Sequence, residues 1–157
     1  MNPALQRLAA ESRLAAESNE AIRLQFGLAC VQRVAHLVEQ TEVLRCLEGL
    51  RDYLAGRIGR AELASLAEDV RCLANHHQGS RSIDGCGHAA VSATYAVANA
   101  LAGKSLEAAD YAAYAAVYGA GGYGAVSDPE SFEPEHQWQV NCLATLVGHL
   151  AQCDGAS

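Results

Sequence analysis

Apolar residues recur every three or four positions along most of the chain, the period of a helix with one buried face. Leu5, Leu8, Ala9 and Leu14 set that spacing over residues 3–17. Ile22, Phe26, Ala29, Cys30, Val34, Leu37 and Val38 carry it over 20–39, with Arg33 as a basic interruption. Val43, Leu44, Leu47, Leu50 and Leu54 predict a helix over 42–55, closed by Gly56, a C-cap glycine. Leu63, Leu66, Ala67, Val70, Leu73 and Ala74 predict another over 61–76. Asn19 and Thr41 stand where a side chain can cap the helix that follows.

Residues 77–83 are polar and aperiodic, so a loop is expected there. Beyond it, Asp84 is a candidate cap for a helix reaching Ala102, and Ser105 begins the next. Both are rich in alanine, which has the highest helix propensity and lets backbones approach closely. The turn 102–105 between them predicts an alanine-rich hairpin. Its second helix is expected to stop at Gly119, with 119–124 a flexible loop. Asp128-Pro129-Glu130 and Glu133-Pro134-Glu135 both have N-cap and N1 chemistry. Either can open a last helix running to about Gln152.

No segment between these helices reads as a strand, and most connections are short. The expected architecture is an all-α, single-domain antiparallel bundle of about six helices over residues 1–157. The alanine-rich hairpin lies at its centre, and residues 1–18 are an accessory N-terminal helix.

Composition narrows the setting. The 157 residues are half apolar and 18% charged, as in a globular chain. No run is long and apolar enough to span a bilayer, and the first residues carry no signal-peptide pattern. The six cysteines fall in helical, mostly apolar surroundings, so reduced thiols and a cytoplasmic location are expected. The net charge of −7 is unevenly spread. Residues 1–80 hold nine Lys/Arg against ten Asp/Glu, whereas 81–157 hold two against eight. The second half therefore repels nucleic acid and anionic membrane and would attract a basic partner. The same charge also serves ordinary solubility.

Four groups of residues carry candidate chemistry. Tyr111, Tyr114 and Tyr118 share one helical face, with Tyr95 before and Tyr123 after them. They are either partner anchors or, in the commoner role, filling for the hairpin seam. Cys72, His76, His77, Cys86 and His88 are donors that zinc favours, but their spacing is neither a CxxC knuckle nor an HExxH helix. Helix-end roles are expected for them, with no metal and no cofactor. Gly119, Gly121, Gly122 and Gly124 follow a helix and lack the Gly-Lys-Ser/Thr of a phosphate loop. Asp128, Glu130, Glu133 and Glu135 form an acidic segment leading through His136 to Trp138. Its carboxylates are solvated or face a basic partner. No nucleophile–base pair is close in sequence, so no enzymatic activity is expected.

Several stretches, taken in order, resemble the small all-helical immunity proteins of bacterial polymorphic toxin systems, the immunity-protein-five-like family. They are FGLACVQRVAHLVE (26–39), CLEGLRDYLAGRIGRAELASLAEDV (46–70), GHAAVSATYAVANAL with AADYAAYAAVYGA (87–120), and the closing His136-Gln137-Trp138-Gln139-Val140. The similarity spans roughly residues 20–147. It implies a cytoplasmic protein that binds a cognate toxin domain and neutralises it by occlusion, with no nucleic-acid or membrane partner. The expected contacts are Asp128, Glu130, Glu133 and Glu135, with Trp138 and Tyr123 as aromatic anchors. The alternative is a small-molecule- or metal-binding helical protein, an enzyme included, using Cys72, His76, Cys86 and His88. A third reading is self-association into a homo-oligomer through the hairpin.

Overall fold

The computed structural model describes residues 2–76 and 86–155. The expected loop 77–83, His77, the Asp84 cap and the side chains of Cys86 and Cys153 lie outside what it describes. The described residues form seven α-helices: α1 Pro3–Glu11, α2 Glu20–Gln32, α3 Thr41–Leu54, α4 Arg60–Asn75, α5 Cys86–Leu101, α6 Ser105–Val126 and α7 Glu133–Gly155. Three 3₁₀ turns, Glu17–Asn19, Ala35–Leu37 and Pro129–Phe132, link them, and no strand occurs among the described residues. The fold is an all-α helical bundle.

The hairpin of α5 and α6 is the centre of the packing. Ala93, Ala96, Ala100, Ala108, Ala112 and Ala115 are buried, so the two helices close together on methyl groups. Gly103, at φ +78°, ends α5: its own N–H reaches Ala100 O, and the Lys104 N–H reaches back to Asn99 O at 2.9 Å. Around the hairpin, α2 lies against both of its helices, α4 against α5 and α3, and α7 against α1 and α2. Phe26, Val31, Leu47, Leu50, Val70, Val97 and Leu143 fill the spaces between them.

Several boundaries differ from the sequence expectation. The helix expected over 3–17 stops at Glu11, because Arg13 takes a left-handed φ of 55°. Asn19 does not cap α2. Its amide donates to Ser12 O and Arg13 O, at 3.3 and 2.8 Å, and holds that turn. Leu5, Ala9 and Leu14 enter the same buried cluster as the rest of the bundle. α2 ends at Gln32 rather than 39, since Val34 leaves helical geometry while its side chain stays buried. Thr41 is the first residue of α3 rather than its cap.

The glycine-rich stretch is the largest departure. α6 continues through it to Val126, broken only at Gly122 (φ 64°, ψ −151°), so it is a kink and not a loop. Only glycine adopts that backbone region readily. Both proline signals at the last helix are used. Asp128 caps the 3₁₀ turn that begins with Pro129, accepting from the Glu130 N–H at 3.1 Å, and α7 starts at Glu133.

Candidate functional site

The tyrosines do not fill the hairpin seam. Alanines do; Tyr111, Tyr114 and Tyr123 stand exposed on α6, while Tyr118 and, on α5, Tyr95 are half-buried. Tyr111 is 38% exposed, Tyr114 40% and Tyr123 46%, the most exposed large apolar side chains among the described residues. Their rings are linked. Tyr95 stacks on Tyr111 with centroids 5.3 Å apart, and Tyr114 lies 6.3 Å from Tyr118. Tyr118 meets Tyr123 edge-on at 6.1 Å, and His88 lies against both, at 5.5 and 5.3 Å. The Gly122 kink brings Tyr123 back onto Tyr118 instead of one helical step beyond it.

At the other side of Tyr114, Phe132 meets its ring at 5.1 Å and 74°, and His136 sits behind Phe132 at 5.7 Å. A second aromatic segment is thereby joined to the tyrosine stripe. Phe132 belongs to the 3₁₀ turn that carries the acidic residues, so aromatic rings and carboxylates occupy one region. Asp128, Glu130 and Glu133 are exposed, and neither Glu130 nor Glu133 makes an ion pair or side-chain hydrogen bond among the described residues.

The remaining two expected contacts are engaged within the molecule. Arg33, the C-cap of α2, forms a bidentate pair with Glu135, with Nη2–Oε1 at 2.7 Å and Nε–Oε2 at 3.0 Å. Its guanidinium also lies 4.2 Å over the Trp138 ring. Glu135 and Trp138 therefore fasten α7 to α2, while Asp128, Glu130, Glu133 and Tyr123 face outward. Left out of the expected contact set are the exposed rings of Tyr111 and Tyr114 and the half-buried Phe132 and His88 packed on the stripe.

Beneath the face runs a polar seam. Asn2 donates to His136 O (3.1 Å) and Gln139 Oε1 (3.3 Å), and Gln139 donates to Ala109 O at 2.8 Å. These bonds tie α1, α7 and α6 together in buried surroundings. His136 Nε2 is buried without a hydrogen-bond partner among the described residues. Burial pushes the His136 pKa down, helped by the positive chain terminus and opposed by Asp110 and Glu135. Burial also pushes the Asp110 carboxyl up.

The cysteine–histidine group is spread out. Cys72 and His76 line a shallow groove with Cys46 and Leu66 between α3 and α4, whereas His88 is part of the aromatic face. Among the described residues no three His, Cys, Asp or Glu side chains are arranged to hold a metal ion. The Cys86 side chain lies outside them. Cys30 and Cys46 are buried thiols, Cys142 is half-buried and Cys72 exposed; burial raises the pKa of the first two.

A cleft of about 1230 Å³ lies between α4 and α5, bordered also by α2 and the start of α6. Its guanidinium groups are already committed. Arg60 pairs with Glu20 at 2.8 Å, Arg71 with Glu68 at 2.6 Å, and Arg23 donates to Leu14 O and Ala16 O. No helix among the described residues is long and apolar enough to cross a membrane. No family model, curated protein or solved structure matches the chain.

Proposed function

We propose that this protein is an immunity protein, which binds a basic toxin domain in the cytoplasm and neutralises it by covering its working surface. The observation that carries this reading is the open aromatic face of α6, edged by the unpaired carboxylates Glu130 and Glu133. Tyrosine is enriched where protein interfaces concentrate their binding energy, because it brings large contact area with little side-chain entropy to lose. Carboxylates at the rim of such a face speed the approach of a basic partner and exclude acidic ones. In this role the protein needs no reaction chemistry. It needs a rigid platform, and the alanine hairpin under the tyrosines supplies one.

The test is co-purification with the product of the adjacent gene, expressed as a catalytically dead toxin candidate. Binding should weaken as salt rises, through screening of the rim charges. Y114A/Y123A should cost about 2 kcal/mol or more of affinity, roughly thirtyfold. A partner held equally well by Y114A/Y123A and by wild type would rule out this face.

A further inference from the structure

The cleft between α4 and α5 has the make-up of a small-molecule site, and its two ends differ in charge. Its volume, about 1230 Å³, is ample for one. Buried Leu24, Leu63, Ala98 and Leu101 give it an apolar floor. At one end Tyr95 Oη donates to Asn75 Oδ1 at 3.2 Å and joins α5 to α4. At the other stand Glu20, Arg23, Arg60 and Lys104. Glu20 pairs with Arg60 and also feels the charge of Arg23, so two guanidinium groups share one carboxylate. Arg23 itself bonds neutral carbonyls, Leu14 O and Ala16 O, and among the described residues only through Nη1. Those bonds fix its position and leave its charge uncancelled. A Cβ at Gly103 would lie 3.8 Å from Arg23 Nε, which sets the guanidinium beside the turn that carries Lys104. Glu17 and Glu107 also border the cleft, but they are exposed, where water and salt screen them. Arg23 is half-buried and is screened less.

We infer that this cleft binds a small amphipathic organic anion, a carboxylate with an apolar body, whose head group sits on Arg23 at the α5–α6 turn. A guanidinium holds a carboxylate by charge-assisted hydrogen bonds, which are stronger than bonds between neutral groups. Nε, on the side of the turn, and Nη2 are the Arg23 donors left for it. The apolar body lies over Leu101, Ala98 and Leu63 toward Tyr95, along a run of α5 about 9 Å long. Covering that floor removes apolar surface from water, which favours binding. The site is separate from the aromatic face, since Tyr114 and Tyr123 do not line the cleft.

The probes are octanoate, 1-octanol and octyltrimethylammonium, one tail with three head groups, titrated calorimetrically into the full chain. Octanoate should bind about tenfold more tightly than octanol, the worth of one charge-assisted hydrogen bond, and octyltrimethylammonium no better than octanol. R23Q removes the cation, and K104E sets a competing carboxylate in the turn beside it. Each should bring octanoate down to the octanol value. Ala64 is exposed and lines the cleft, so A64W narrows it and should weaken octanoate and octanol alike. Y114A/Y123A should bind octanoate as wild type does. Circular dichroism checks each fold, and if R23Q loses helix with its bonds to Leu14 and Ala16, K104E decides. Equal affinity for octanoate and octanol, no octanoate binding up to millimolar concentration, a preference that survives R23Q and K104E, or full binding by A64W would each overturn the site. Loss of octanoate in Y114A/Y123A would move the anion to the aromatic face and overturn it too.

Discussion

His136 shows how a single residue ties the stability of the bundle to pH. Its ring lies against Phe132, and its Nε2 is buried with no hydrogen-bond partner among the described residues. A proton added there would bring an unpaired charge into low dielectric, which is why its pKa is depressed below the ordinary histidine value of 6.5. The unfolded chain then binds this proton more readily than the folded one, so stability falls as pH drops through about 6.5. Asp110 acts in the opposite sense. Its raised pKa means the folded state holds a proton more readily, so its contribution is lost as pH rises above the ordinary aspartate value. Urea unfolding of wild type and H136Q from pH 7.5 to 5 separates the two. The wild type should lose stability relative to H136Q over that range. Parallel curves would mean that His136 titrates alike in both states. The sequence shows this histidine only as a neighbour of carboxylates. No local pattern reveals its contact with the far end of the chain, where the Asn2 amide before α1 donates to the His136 carbonyl.

At the scale of elements, periodicity locates the helices well where one face meets the core and poorly where chain direction changes. The stripes of α3 and α4 place those helices within a residue or two. Over residues 33–39 the apolar period outlasts the helix, because Val34 remains buried after the backbone has turned. At 119–124 the glycines suggest a stop, yet hydrogen-bonded turns continue on both sides of Gly122. Composition cannot reveal which of four nearby glycines takes the positive φ. G122A should therefore destabilise by about 1–3 kcal/mol and release Tyr123 from Tyr118, seen as a changed near-UV tyrosine signal. A silent G122A would place the kink elsewhere. The α2–α7 contact was likewise hidden, since its partners are 102 residues apart. R33A should cost about 1–2 kcal/mol, combining a partly exposed bidentate pair with a cation–π contact. R33K should restore little of it, for want of the fork. Trp138, the chain's one tryptophan, reports the transition by fluorescence. Equal stability of R33A and wild type would show that α7 is held by its apolar contacts alone.

Across the whole molecule, the site was legible as ingredients and illegible as a surface. The acidic bias of the second half and the i, i+3, i+7 tyrosines are both visible in the chain. Which way the tyrosines point is not, because an alanine helix packs almost equally well around its whole circumference. Nor does any local pattern join Phe132 to Tyr114. The resulting combination raises a physical question: open aromatic faces tend to find each other, so two copies of this protein could pair through them. The carboxylates oppose that pairing. In a symmetric dimer Asp128, Glu130 and Glu133 of one copy would approach the same residues of the other, a like-charge encounter that a basic partner would escape. The triple variant D128N/E130Q/E133Q tests this directly. It reduces the net charge from −7 to −4, and D128N retains the oxygen that caps the 3₁₀ turn. Sedimentation velocity at low salt should find wild type monomeric and the triple variant shifted toward dimer. Adding Y114A/Y123A should return the variant to monomer, since the aromatic rings supply the attraction. A triple variant that stays monomeric at every concentration wild type tolerates would show that charge is not what keeps this face open. A dimer that persists without the two tyrosines would place self-association on another surface.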